Sequence, residues 1–157
     1  MLELGDKVPS YKLPSSTGNE VALTDFKGKR IVLYFYPKDD TPGCTTEACD
    51  FRDALKDFKD LNVVIVGVSK DSENSHEKFI EKYQLPFVLL SDKNLKLMED
   101  FGVWKEKTLY GRTALGVVRS TFLIDEEGTL VKAWRNVKAA GHVAKVLEEV
   151  KETVTFC

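Results

Sequence analysis

The residues with chemistry of their own gather in one stretch of the chain, Thr41-Pro42-Gly43-Cys44-Thr45-Thr46-Glu47-Ala48-Cys49. A thiol becomes a strong nucleophile as its thiolate, and a cysteine at a helix N-terminus is where that form is most easily reached. Residues 31–36 (Ile-Val-Leu-Tyr-Phe-Tyr) form a near-continuous apolar run, the pattern of a strand buried on both faces. Pro37 ends that run, Asp39, Asp40, Pro42 and Gly43 carry turn chemistry, and an amphipathic helix follows with Ala48, Phe51, Leu55 and Phe58 on its apolar face. Cys44 therefore falls in a first helical turn, where backbone N–H groups without helical partners point at it. The Thr41 hydroxyl can donate to a thiolate and accept from another donor. Pro42 and Gly43 leave the backbone open to a small polar ligand. Such a site attacks either a disulfide or the O–O bond of a peroxide, and the residues alone leave both open.

Cys49 lies five residues beyond Cys44. On helical geometry that spacing gives about 7.5 Å of rise and about 140° of rotation, so the two Cα atoms stand roughly 8.6 Å apart. A disulfide needs its Cα atoms within about 7 Å. The pair can join only if the first turns of the helix unwind. The alternative is that Cys49 is a core cysteine facing the sheet. A zinc site would draw on Cys44, Cys49, Cys157, His76 and His142, which show none of the usual short ligand spacings. Both histidines are expected on polar or solvent-facing parts of helices, without a catalytic role. A disulfide oxidoreductase of the thioredoxin type would carry two cysteines separated by two residues, not four. A non-enzymatic redox-sensing or chaperone-like module is the third class.

The elements that must position these residues follow from the patterning. Residues 8–14 suit a short edge strand and 21–23 a second, together a hairpin extension. Strands are expected at 31–36, 63–68 and 87–90, with helices at 45–60, 72–83 and 95–101 between and after them. Residues 102–116 read as a long connection holding Trp104, Tyr110 and Gly111. Residues 117–125 and 130–134 flank a Glu126-Glu127-Gly128-Thr129 turn, and 139–152 form a last helix. Alternating strands and helices imply parallel pairing, and the second hairpin adds antiparallel strands. The fold class is α/β, thioredoxin-like: a mixed central sheet flanked by helices, in one domain spanning 1–157.

Composition removes several functions. The chain of 157 residues has a formal net charge of −2, so it carries no electrostatic footprint for nucleic acid. No apolar run approaches the length of a membrane helix, and residues 1–7 lack the pattern of a secretory signal. A cytoplasmic protein is expected, a setting where cysteines serve catalysis more often than structural disulfides.

Pro37, Thr41 and Cys44, at this spacing, resemble the active-site motif of the peroxiredoxins. Phe35-Tyr36-Pro37-Lys38 before it and Cys44 to Cys49 after it resemble the bacterioferritin-comigratory, or Q-type, subfamily. Phe101-Gly102-Val103-Trp104, Tyr110-Gly111-Arg112 and Arg119-Ser120-Thr121-Phe122-Leu123-Ile124-Asp125 extend the likeness along nearly the whole chain. The resemblance implies a thiol peroxidase with no metal and no other cofactor. Cys44 would be the peroxidatic cysteine and Cys49 its resolving partner, recycled by thioredoxin or a similar dithiol. Thr41 would bind the peroxide, Arg119 would hold the thiolate and polarise the leaving oxygen, Pro37 would shield the site and Glu47 would steady the arginine. Gly43 belongs to the same turn. The resemblance also favours a monomer over a homodimer. Cys157 has no place in the motif and reads as a free thiol on a tail. Trp104 reads either as a wall of the site or as core.

Overall fold

The computed structural model describes residues 1–155; Cys157 lies outside them. The most buried run in the sequence became the central strand. Strand β3 (Arg30–Phe35) is buried at every position. It pairs in parallel with β4 (Val63–Ser69) on one side and antiparallel with β8 (Ser120–Ile124) on the other. Strand β5 (Val88–Ser91) extends the sheet beyond β4, and β9 (Leu130–Trp134) extends it beyond β8, giving the order β5-β4-β3-β8-β9. The mixed sheet expected from the sequence is thus present.

Alternation along β3 sorts its side chains into two cores. Val32, Tyr34 and, just beyond the strand, Tyr36 face a cluster formed with Cys44, Ala48, Phe51 and Phe58 of α1 (Pro42–Asp60), Phe79 of α2 (Glu73–Tyr83), and Val143, Val146 and Val150 of α4 (His142–Thr155). Ile31, Leu33 and Phe35 face the other cluster, with Leu97 and Met98 of the short α3 (Lys96–Asp100) and residues of the N-terminal extension. Gly67 stands opposite Tyr34 in the β3–β4 ladder. A Cβ there would come within 2.9 Å of the Tyr34 ring and 2.7 Å of Leu89, so the missing side chain makes the room in which the tyrosine lies flat against the sheet.

Several boundaries and one whole element differ from expectation. The N-terminal hairpin is present but minimal, β1 (Leu13–Pro14) with β2 (Glu20–Val21). Helix α1 begins at Pro42, three residues before the expected start, because proline suits a first turn that needs no N–H from it. Residues 102–116 are not a connection. They hold β6 (Trp104–Leu109) and β7 (Arg112–Val117), a separate two-stranded ribbon. Its turn, Tyr110-Gly111, has positive φ at both residues (53° and 76°), the backbone of a tight hairpin whose twist matches its strands. The expected strand 117–125 is in fact the end of β7 and the whole of β8, interrupted at Val118 and Arg119. Helix α4 starts at His142 rather than 139, after Gly141 at φ 73°. Trp104 is half-buried against the second core, with Lys70 Nζ 5.4 Å from its ring.

Candidate active site

Three elements meet at Cys44. The loop after β3 delivers Pro37 and Thr41, the first turn of α1 delivers Gly43, Cys44 and Glu47, and the interruption between β7 and β8 delivers Arg119. Thr41 is the N-cap of α1 but makes no side-chain cap. Its hydroxyl instead donates to the Lys38 carbonyl at 3.0 Å. Helix geometry leaves the N–H groups of Gly43 and Cys44 without i−4 partners, and Pro42 has none to contribute. Cys44 is 2% exposed. Cys44 and Cys49 are both free thiols in an intact helix, and Cys49 is half-buried.

Arg119 joins the parts. Its Nη2 donates to Cys44 Sγ at 3.2 Å, while its Nη1 donates to Glu47 Oε1 at 2.5 Å. The planar fork of the guanidinium is what allows one side chain to hold sulfur and carboxylate together. The position outside the strand ladder matters as well, since the backbone of Arg119 accepts from Val137 N–H and not from a neighbouring strand in regular register. Gly43 lies under the fork: a Cβ there would stand 3.2 Å from Arg119 Nη2. Cys44, Glu47, Arg119 and Gly43 are therefore in one constellation. Thr41 adjoins it as the N-cap of α1, with its hydroxyl donating to its own loop, and Pro37 lies four residues earlier in that loop.

The acid in this constellation is unusual. Glu47 is fully buried, and its Oε2 has no hydrogen-bond partner. Burial pushes its carboxyl up to about 7, against the opposing pull of Arg119. For Arg119, burial works against the charge, but Glu47 and Cys44 outweigh it and hold the guanidinium above its ordinary range. Tyr34 places its hydroxyl nearby, also buried and without a partner. Its phenol is raised well above its ordinary value by burial first and then by Glu47 and Cys44.

Sequence reasoning placed both histidines on polar or exposed faces; both are buried. His142 opens α4 at 5% exposure, with Nε2 2.7 Å from Thr121 Oγ1. Burial, then Arg119 and Lys145, push it down to about 4, so it is neutral. His76 is completely buried and contacts Asp39, a residue of the loop that carries Thr41. A histidine at the fourth position after the Ser72 cap, one turn before Phe79, is the available sign that it faces inward. Among the described residues no three His, Cys, Asp or Glu side chains gather as a metal-binding group. A cavity of about 450 Å³ lined by Phe26, Leu55, Val63 and Phe87 lies where β3 and β4 begin, away from these residues.

Comparison with known proteins matches the chain to a family. Residues 4–133 match the AhpC/TSA family. Peroxiredoxin Bcp of Bacillus subtilis is 56% identical over 151 residues, 96% of each chain. The structure of PrxQ from Xylella fastidiosa superposes with a TM-score of 0.93 at 39% identity, covering 98% of both chains. That of the bacterioferritin comigratory protein of Xanthomonas campestris, studied for its alkyl peroxide reduction activity through trapped intermediate and ligand complexes, gives a TM-score of 0.88 at 42% identity over 94% of this chain and 99% of the other. A buried thiol clasped by an arginine at a helix start, on a thioredoxin-like sheet, thus has its place: the chain belongs to the AhpC/TSA family as a peroxiredoxin of the Bcp, or Q-type, subfamily, an oxidoreductase of the peroxidase class.

Proposed function

We propose that this peroxiredoxin reduces hydrogen peroxide and organic hydroperoxides through Cys44, resolves the product through Cys49, and is recycled by thioredoxin or a similar dithiol. The observation that carries the reading is Arg119 Nη2 at 3.2 Å from Cys44 Sγ in the first turn of α1. The Cys44 thiolate attacks one peroxide oxygen. The S–O bond forms as the O–O bond breaks, and the second oxygen leaves as hydroxide or alkoxide and takes a proton to become water or an alcohol. Negative charge spreads over sulfur and both oxygens during the attack. The Arg119 fork and the N–H groups of Gly43 and Cys44 supply fixed positive ends for that charge. The Thr41 hydroxyl has its proton engaged by Lys38, so its lone pairs are the part available to accept from the peroxide O–H. Glu47 holds the other arm of Arg119, and Pro37 covers the side of the site.

The Cys44 sulfenic acid then condenses with the Cys49 thiol, losing water and forming a disulfide. The first turns of α1 must open for this, since the intact helix keeps the pair about 8.6 Å apart at Cα. An incoming dithiol exchanges the disulfide back to two thiols. The same reading makes the chain a monomeric antioxidant enzyme of the cytoplasm, one domain over 1–157. Among the described residues no helix is long and apolar enough to cross a membrane.

Free-thiol count and intact mass after one equivalent of hydrogen peroxide test the cycle. Wild type is expected to lose two thiols at monomer mass, and Cys49→Ser to stop as a sulfenic acid on Cys44. An unreactive Cys44 would remove the peroxidase reading. Cys157→Ser is expected to keep turnover with reductant; its loss would reassign the resolving step.

A further inference from the structure

The loop that precedes the catalytic helix is tied down by a cluster that the reaction above does not use. Asp39, 7% exposed, collects three side-chain hydrogen-bond partners. Tyr36 OH reaches Oδ1 at 2.6 Å, while Ser75 Oγ and His76 Nδ1 each reach Oδ2 at 2.8 Å. Its own N–H donates to Asp71 Oδ2 at 2.8 Å. On its far side, His76 Nε2 stands 3.0 Å from the carbonyl of Leu90 in β5.

Both nitrogens of this ring are hydrogen-bonded. A carbonyl oxygen only accepts, so Nε2 carries a proton and donates it to Leu90. On the other side one proton lies between Nδ1 and Asp39 Oδ2, 2.8 Å apart, while the Tyr36 and Ser75 hydroxyls give theirs to the same carboxyl. The ring is thereby held at both edges within a buried pair.

The neighbouring residue doubles the tie. Asp40, in the left-handed conformation at φ 55°, accepts from Lys82 Nζ at 2.8 Å and Tyr83 OH at 2.7 Å. The end of α2 also holds α1 downstream of the cysteines, since Arg52 Nη1 donates to the Tyr83 carbonyl at 2.7 Å. Helix α2 thus grips the chain at 39–40 and at 52. The stretch between the grips, 41–51, contains both Cys44 and Cys49.

We propose that His76 is a positioning residue for Cys44: its ring, held between the Asp39 carboxyl and the Leu90 carbonyl, pins the loop 37–40 to α2 and β5, and this loop is the fixed end about which the first turns of α1 unwind when Cys44 and Cys49 join. The inference rests on the peroxidase reading for its consequence, though not for its geometry. A fixed upstream end keeps Pro37 and the loop carrying Thr41 in register, so that refolding of α1 rebuilds the same site after each reduction.

Three measurements test it. In ¹⁵N-edited NMR at pH 7, His76 Nε2 is expected to carry a proton that exchanges slowly with water; an unprotonated or fast-exchanging Nε2 overturns the proposal. In hydrogen exchange, the Asp39 amide is expected to stay protected in the Cys44–Cys49 disulfide form while the amides of 43–48 lose protection; loss at Asp39 as well overturns it. In stopped flow on the Cys49→Ser background, His76→Asn is expected to slow oxidation of Cys44 about tenfold or more. Val150→Ala, a core truncation in α4, serves as a destabilised control and is expected to stay within about twofold. Equal rates for His76→Asn and its parent overturn the proposal. Should His76→Asn fail to fold, the two measurements on the native histidine decide alone. A wild type that does not react with peroxide sinks the peroxidase reading instead, and the ring protonation still tests the pin.

Discussion

Asp39 and Glu47 are two buried acids eight residues apart, each facing a basic side chain, yet their surroundings differ in one respect. Both oxygens of Asp39 are satisfied, by Tyr36, Ser75 and His76. Glu47 has Arg119 on Oε1 and nothing on Oε2, with the unpartnered Tyr34 hydroxyl close enough to be felt electrostatically. A fully satisfied buried network fixes a conformation. A partly satisfied one keeps its charge poised, because neither protonation state is fully stabilised. The first acid sits where the chain must not move, and the second sits beside the sulfur whose charge must change.

The comparison is broken most severely at the satisfied end. Asp39→Ala would leave the Tyr36 hydroxyl, the Ser75 hydroxyl and the His76 ring without their shared partner. Each buried polar group left unsatisfied costs about 1–3 kcal/mol, so the total is a large part of the 5–15 kcal/mol typical of a whole domain. A urea titration is expected to show that loss. A change below about 1 kcal/mol would mean that the three groups find other partners at little cost, and that the two acids are alike.

The next largest effect is on rate. Arg119→Met removes the donor on Cys44 and the cation paired with Glu47. Removal of one such preorganised donor costs about 10²–10³-fold, so the second-order rate of Cys44 oxidation is expected to fall by that factor. Arg119→Lys is expected to recover little, since a single ammonium cannot reach sulfur and carboxylate as a fork does. A loss under about tenfold would show that the helix N-terminus carries the charge without the guanidinium.

Arg119 also marks where the sequence stopped being legible. Residues 31–36 announced the central strand because every side chain is apolar, and the Pro/Gly turn before Cys44 announced the reactive helix start. Nothing in the patterning set Arg119 apart from other basic residues; only the family resemblance singled it out. Its neighbourhood was hidden for a reason. Strands β6 and β7 lie outside the main sheet, and β7 is exposed along most of its length, so it shows no alternation for a sequence reading to detect. The break at Val118 and Arg119 vanished inside what looked like one strand. His76 and His142 were misplaced because a polar side chain that finds a partner inside gives no sign of it in composition. Asp39, His76 and Leu90 come together only through the β3–β4–β5 order of the sheet.

Acidity sharpens the contrast further. A Glu47 carboxyl held near 7, against an ordinary value of 4.5, keeps its proton in the folded state while the unfolded chain has released it. Its contribution to stability therefore falls as pH rises from 4.5 to 7. His142 acts in the opposite sense. Held near 4 against 6.5, it stays neutral when folded while the unfolded chain takes up a proton, so its contribution rises with pH from 4 to 6.5. The two offset each other, and the charge of Arg119 acts on both. Urea midpoints between pH 4.5 and 7.5 are expected to rise more steeply with pH in Glu47→Gln, and to fall with pH in His142→Gln, by up to about 1.4 kcal/mol per unit. Parallel curves for wild type and Glu47→Gln would mean that the acid is ionised throughout.

A smaller, purely steric perturbation reaches the same fork. Gly43→Ala places a methyl 3.2 Å from Arg119 Nη2, so the guanidinium must give by a few tenths of an ångström. Cys44 oxidation is expected to slow by about threefold to tenfold while stability changes by less than about 1 kcal/mol, since Gly43 is in a helix where alanine is the better former. An unchanged rate would show that the fork tolerates displacement, and that its contact with sulfur is not set by the turn.

The smallest effect is the most informative about Glu47. Tyr34 packs its ring 4.6 Å from Phe51, centroid to centroid, and all but the hydroxyl is used in that packing. The hydroxyl is buried without a partner. Tyr34→Phe keeps the ring and removes a polar group that was desolvated for no return, a change that is ordinarily neutral or stabilising. Stability is therefore expected to stay level or rise by up to about 1 kcal/mol, with Cys44 reactivity within about twofold. A loss of more than 1 kcal/mol would mean that the hydroxyl is paired in solution, through a buried water shared with Glu47 Oε2. The second acid would then be as fully satisfied as the first, and the contrast between a fixed and a poised carboxylate would fail at its origin.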